Sequence, residues 1–270
     1  MAAPAKLTLH LSEVHMEWFE SEDFWKNYGP IMFDEAHWQE APAIADRVMK
    51  LAGLREGDAV LDAGCGVGRI SVELAALGLK VTGTDIIQAE LDTAAESARD
   101  EGVEIDFIKA DMRKWCRPKA FDCTVNLYTS FGYCDTVEED MLYLKNMCAC
   151  VRDGGSFIFE GTTREIAAMY FTRGEEFERA GYKVVTDFSV TGAWEGLRSH
   201  WILYPAGTDL SKNPSASPLV DHTFIQRLYP ATFLRDKILE YGFKSASVYG
   251  NWEGAPYDQN AATCVIVARK

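Results

Sequence analysis

Asp62, Asp85 and Asp111 each close a short apolar run. The first is followed at once by three alternating glycines, Gly64, Gly66 and Gly68, in VLDAGCGVGRISVEL. A glycine loop between a strand and a helix can hold a phosphate, a dinucleotide or another nucleoside. A phosphate loop needs GxxxxGK and then Ser or Thr, and no lysine stands there. The dinucleotide fingerprint GxGxxG, counted from Gly64, meets Arg69 in its sixth place. Asp62 lies two residues before the first glycine, where a carboxylate accepts from an ammonium group and repels a pyrophosphate. Asp85 follows the loop by about 20 residues, the distance at which an acid takes ribose hydroxyls. A carboxylate at Asp111 can accept from an adenine amino group, with Met112 against the ring.

For these residues to meet, strands and helices must alternate around them. Strands are expected at 58–62, 80–84, 103–110, 121–128 and 156–160, with 152–155 as a turn. Helices are expected at 69–77, at 88–99 and from Thr136, where Glu139 three residues on has capping-box spacing. The pattern predicts an α/β fold: a doubly wound, mostly parallel Rossmann-like sheet. After Gly161 the pattern changes to strands at 182–190, 197–204 and 222–228 around a proline-rich loop at 205–218. A helix at 231–241 and strands at 245–249 and 263–269 end the chain. The linker between those two strands is too short for a helical crossover, so they must form a reversed hairpin. Upstream, Trp18, Phe19, Phe24, Trp25, Tyr28, Phe33 and Trp38 are interleaved with acids, as in amphipathic helices, and a helix is expected at 41–51. The organisation is therefore an N-terminal helical lid (1–40), a nucleoside-binding domain in two pieces (41–161 and 229–270) and an antiparallel β insertion covering the substrate (162–228).

An ammonium, a ribose and an adenine without phosphates describe S-adenosylmethionine. Five ordered segments, VLDAGCGVGR, VTGTDI, IKADM, FDCTVNLYTSFGY and LKNMCACVRDGGSFIFE, resemble a class I S-adenosylmethionine-dependent methyltransferase. EYGFKSASVYG and TCVIVARK resemble that family's final hairpin. The insertion after the fifth strand resembles the small-molecule branch that contains glycine, sarcosine and amino-sugar N-methyltransferases. The resemblance implies that Asp62, Gly64, Cys65 and Gly66 hold the methionine end, that Asp85 binds ribose with Ile86 against adenine, and that Asp111 and Met112 hold adenine. It implies further that Asn126 and Tyr128 border the methionine part and the methyl group. Arg69 either reaches the ligand's carboxylate or caps local carbonyls.

Transfer from a sulfonium is an in-line displacement that rests on proximity and orientation, so no strong catalytic dyad is required. Tyr128 and His222 are the catalytic candidates, His222 as a base titrating near neutrality. A lone histidine is also a common structural residue, and His200 has the same standing. The candidate walls of the acceptor site are Tyr28, Phe33, Phe131, Tyr133, Trp201, Arg227 and Trp252. The net charge of −14 repels nucleic acid and suits a cationic or neutral small molecule. No apolar run approaches a membrane span, and MAAPAKLTLHLSEVH lacks the pattern of a secretory signal, so a cytoplasmic protein is expected. Seven cysteines without CxxC indicate free thiols and no metal site. Asp135, Glu138 and Glu139 read as a helix start, not as metal ligands. The reading is a methyltransferase acting on a small molecule, most simply at an amine nitrogen. O- or C-methylation and a non-catalytic cofactor-binding subunit are the alternatives.

Overall fold

The computed structural model describes residues 18–128 and 130–270, so the expectation for the first 17 residues lies outside them. A short 3-10 turn at Trp18–Glu20 leads into α1 (Glu22–Met32) and α2 (Glu35–Ala52). Ser21 and Asp34 cap these two helices by accepting from Phe24 N–H and His37 N–H. Next come β1 (Ala59–Ala63), α3 (Arg69–Ala76), β2 (Lys80–Asp85), α4 (Gln88–Asp100), β3 (Asp106–Lys109), β4 (Phe121–Asn126), α5 (Val137–Cys150) and β5 (Val151–Gly161). Then follow α6 (Arg164–Met169), β6 (Glu176–Arg179), β7 (Tyr182–Thr191), β8 (Gly196–Pro205), β9 (Val220–Arg227), α7 (Ala231–Glu240), β10 (Ser245–Tyr249) and β11 (Cys264–Arg269).

Seven strands form one sheet in the order β10-β11-β5-β4-β1-β2-β3. The pairs from β3 across to β5 are parallel, and β11 is antiparallel to both of its neighbours. Both faces of this sheet are covered, which is why its strands are apolar without strict alternation. Adjacent residues of β1 feed opposite cores. Val60 packs with Ile44, Val48 and Leu74 from α2 and α3, and Leu61 packs with Leu144, Met147, Leu234 and Ile238 from α5 and α7. The strand order reverses between β1 and β4, the place where an open α/β sheet leaves a crevice beyond its carboxyl ends.

The insertion is a separate four-stranded antiparallel sheet, β6-β7-β8-β9. Its edge strand β6 and the helix α6 were not expected. The sequence EFER puts a charged residue at three of four positions, which hides an edge strand. The expected strand at 103–110 is shorter, because Val103 N–H still closes the end of α4 on Ala98. The expected turn at 152–155 is instead a bulge within β5: Phe121 pairs with Val151, and Cys123 next pairs with Ser156. The helix expected at 41–51 begins six residues earlier, so α2 runs unbroken from the N-terminal segment onto the sheet. Thr136 and Glu139 complete the expected capping box of α5. Among the described residues no helix is long and apolar enough to cross a membrane.

Candidate functional site

A cavity of about 340 Å³ lies over the carboxyl ends of β1, β2 and β4, a size in the range of small-molecule sites. The loop after β1 forms its floor. Gly64 N–H and Cys65 N–H donate to the Thr84 carbonyl at 2.8 and 2.9 Å, tying the loop to β2. Gly64 has φ +76° and Gly66 φ +52°, the left-handed region where only glycine is unstrained. A Cβ on Gly64 would stand 2.8 Å from that of Ser130, so Ser130, four residues past β4, can close against the loop only because Gly64 has no side chain.

The acids at the strand ends converge here. Asp62 is 3% exposed and accepts from Ser71 Oγ at 2.6 Å. Burial pushes its carboxyl up to about 6, with Asp85 acting in the same direction and Ser71 and Arg69 opposing. Asp85 accepts from Gly66 N–H at 2.9 Å and Ile87 N–H at 3.0 Å, and burial raises its pKa despite these bonds. Ile86 lines the cavity beside it. Burial pushes upward on Asp111 too, but bonds from Arg113 and Lys114 outweigh it and hold the carboxyl below its usual value. Its oxygens therefore face the cavity already engaged, with Arg113 Nε at 3.0 Å. Met112 is buried against Thr84, whose hydroxyl donates to the sulfur at 3.4 Å.

Two residues named at the end of β4 sit differently. Asn126 is fully buried behind the loop, where Nδ2 donates to the Ala63 carbonyl at 2.7 Å, and it does not line the cavity. Tyr128 does line it, in a left-handed conformation with φ +54°. Its N–H donates to Glu160 at 2.9 Å and its hydroxyl to Glu40 at 3.0 Å. Burial raises the phenol's pKa, and Glu40 adds to this, so Tyr128 is no base at neutral pH. Arg69 is buried, donates to the His37 carbonyl and lies 4.5 Å from the centre of the Tyr128 ring while still bordering the cavity.

The opposite half of the cavity is aromatic. Trp18, Phe19, Trp25, Tyr28 and Phe33 descend from the turn and α1, Phe131 and Tyr133 follow β4, and Phe224 comes from β9. Trp18 stacks on Phe224 at 4.3 Å and meets Tyr133 edge-on at 5.1 Å. The Tyr28 and Tyr133 hydroxyls have no hydrogen-bond partner among the described residues.

Besides Asn126, five candidates fall outside the cavity. His222 lies behind the wall, 4.8 Å from the Phe24 ring and 6.0 Å from Trp18. Burial lowers its pKa, and its buried Nε2 lacks a partner among the described residues. It shares a face of β9 with Phe224, but only Phe224 reaches the opening, so a role as base has no geometric support. Arg227 donates to Asp140 and to the carbonyls of Cys134 and Asp135, fastening β9 to the start of α5. Trp201 props Tyr28 edge-on from the insertion, and Trp252 packs at the α2 and α3 side of the sheet. His200 is paired with Asp221 at 2.7 Å on the insertion.

Some cavity residues were not anticipated. Glu160 closes β5 as Asp62 closes β1, so the strand-end rule already pointed to it. Glu90 interrupts the buried stripe of Leu91, Ala94 and Ala98 on α4, and a charge among buried positions is a readable signal. Behind the lining, Asn146 supports Met112 and Arg113 by donating to both carbonyls, at 2.8 and 3.0 Å. His37, held through Nδ1 by Asp34 at 2.6 Å, is the one imidazole among the described residues that borders the cavity.

Residues 60–155 match the family model described as a methyltransferase domain. A ubiquinone biosynthesis O-methyltransferase of Nitrosococcus oceani is 42% identical over 73 residues, 26% of this chain and 31% of that protein. The chain spans about half or less of the length of the curated relatives it matches. A structure of an S-adenosylmethionine-dependent methyltransferase from Clostridium acetobutylicum superposes with a TM-score of 0.72 at 13% identity, over 91% of this chain and 98% of that one. An S-adenosylmethionine-bound amino pentose methyltransferase from Micromonospora echinaspora superposes at 0.65 with 18% identity, over 91% and 96%. These superpositions establish a shared fold. Residues 60–155 are a methyltransferase domain.

Proposed function

We propose that this protein methylates a nitrogen of a small amine, with S-adenosylmethionine as donor. The observation that carries the reading is the continuity of one cavity, acidic and glycine-floored at one end and aromatic at the other. The acidic end fits the donor. Asp62, buried beside the Gly64 backbone, would hold the ammonium, Asp85 the ribose, and Ile86 and Met112 the adenine, with Asp111 at its amino edge. When bound, S-adenosylmethionine supplies a methyl group activated on a sulfonium. Everything else falls to the chain.

The aromatic end has three tasks: to align the acceptor, exclude water and keep the nitrogen neutral. Burial disfavours the charged form of an amine and so exposes the lone pair needed for attack. The Tyr28 and Tyr133 hydroxyls are available to fix the direction of that lone pair by accepting an N–H, since burial keeps both phenols protonated. Ring faces of Trp18, Trp25 and Phe224 favour the cationic nitrogen that methyl transfer leaves behind. Alignment of this kind is worth on the order of 7–11 kcal/mol of barrier.

O-methylation is the second reading, suggested by the names of curated relatives. A phenol acceptor would need a base; His222 lies outside the cavity, and His37, which borders it with Nδ1 held by Asp34, is the group that would serve. Two neighbouring structures are described as an amino pentose methyltransferase and a sugar N-methyltransferase, which supports nitrogen. The test is turnover against matched amines and phenols, with the methylated atom identified by mass spectrometry and NMR. Amines should be methylated at least about tenfold faster, and methylation confined to phenols would overturn the nitrogen assignment.

A further inference from the structure

Glu90 is a buried carboxyl for which neither the fold nor the transfer step above has a use. It stands in the first turn of α4, third after the N-cap Ile87, the place from which a glutamate normally reaches back to the N-cap N–H. Glu139 makes that bond to Thr136 at the start of α5, at 3.1 Å. Glu90 makes none, because Asp85 already takes the Ile87 N–H at 3.0 Å. The carboxyl is thereby released toward the cavity. The residue is 7% exposed, and its oxygens have no hydrogen-bond partner among the described residues.

The surroundings of this carboxyl define a narrow subsite. Asp85 meets Gly66 at its N–H, 2.9 Å away. Glu90 lies off the α-carbon of the same residue, with Oε2 3.0 Å from where a Cβ would be. The Phe33 ring closes the third side, 3.2 Å from that position, and Gly29 of α1 passes above the other Glu90 oxygen. Two carboxyls and a ring edge therefore surround one short piece of loop backbone. Burying a second acid beside Asp85 is costly unless a ligand supplies hydrogen bonds to it. A vicinal diol does this, offering two hydroxyls that each donate and accept.

We propose that Glu90 is a second sugar-reading carboxyl, bracketing the ribose hydroxyls of the nucleoside together with Asp85. The inference rests on the S-adenosylmethionine reading and adds a specificity-determining residue to it. Asp85 has part of its accepting capacity taken by backbone N–H groups. Glu90 keeps its whole hydrogen-bonding capacity. The pair discriminates a ribose from a deoxyribose more strongly than one carboxylate does.

The test is calorimetric titration of the full chain with S-adenosylhomocysteine and with its 2′-deoxy and 3′-deoxy analogues. For Glu90→Leu, affinity for S-adenosylhomocysteine should fall about 10- to 30-fold, and for Glu90→Gln, which keeps both an acceptor and a donor, no more than about threefold. The loss in Glu90→Leu should shrink below about threefold for the analogue that lacks the hydroxyl Glu90 reads. Thermal unfolding at or above the wild-type temperature shows that the variant is folded. Wild-type affinity in Glu90→Leu, or an equal loss for every analogue, overturns the role of Glu90 alone. A wild-type chain that binds neither S-adenosylmethionine nor S-adenosylhomocysteine overturns the cofactor reading beneath it.

Discussion

At the strand-end half of the cavity, contacts are short, polar and directed hydrogen bonds. Asp62 bonds to Ser71, Asp85 to Gly66 and Ile87, and Asp111 to Arg113. At the aromatic half, Trp18, Tyr28, Tyr133 and Phe224 come from four separate parts of the chain and touch mainly through ring faces and edges. The first half is held by backbone geometry and leaves little room for substitution. The second is held by packing, which tolerates change of shape and so can be retuned for a different acceptor. Under the proposed function the first half serves the cofactor and the second the acceptor.

The largest expected effect lies in the loop. Gly64→Val combines a strained φ with a collision at Ser130. It should cost at least about 3 kcal/mol of S-adenosylhomocysteine binding, a loss of more than about 100-fold by calorimetry. An equally large loss from Trp25→Ala would erase the distinction between the two halves.

Next comes a pH effect peculiar to the acidic half. Burial raises Glu90 from 4.5 to about 8, helped by Asp85, and raises Asp62 from 3.8 to about 6. The folded chain thus keeps protons that the unfolded chain releases at lower pH. These groups contribute most stability below their unfolded values, and the contribution is lost as pH rises through about 6 and then about 8. For Glu90 the change is on the order of 3–5 kcal/mol. Glu90→Gln should therefore unfold at the wild-type temperature near pH 4 and at least about 5 °C higher near pH 9. Parallel curves for the two proteins between those limits would show that Glu90 is not buried as described. Binding of the cationic cofactor should tighten as Asp62 ionises through about pH 6.

A smaller, separable effect belongs to the aromatic half. Removing the hydroxyls in Tyr28→Phe or Tyr133→Phe deletes one hydrogen bond each, about 0.5–1.5 kcal/mol. The acceptor KM should rise about 2- to 12-fold while the dissociation constant of S-adenosylhomocysteine stays within about twofold. A shift in cofactor affinity instead would place these hydroxyls in the wrong half.

The same division explains what could be read from the residues in order. Asp62, Asp85 and Asp111 were legible because each sits at the end of a strand, a position that local hydrophobic pattern reveals. Glu160 obeys the same rule in SFIFE but has no glycine motif beside it to draw notice. The α/β alternation and the final hairpin were legible from period and linker length. The aromatic half was not. Period-2 alternation puts His222 and Phe224 on one face of β9 but says nothing about which of them reaches the opening. Arg227 and Trp252 have suitable chemistry, yet their positions depend on contacts with Asp140 and with the α2 side of the sheet that no local pattern encodes.

His222 supplies the smallest and most discriminating change. Its ring packs among Trp18, Phe24 and Phe224, and its buried Nε2 lacks a partner among the described residues. His222→Phe keeps an aromatic ring there and removes an unsatisfied nitrogen, which should leave stability unchanged or raise it by about 1 kcal/mol. Turnover should stay within about twofold, with the same pH profile, because the ring stands behind the wall that faces the acceptor. A tenfold loss of kcat at unchanged KM, with the fold intact, would mean that the wall opens during turnover and that His222 reaches through it. The aromatic half would then be a moving part and not a packed one.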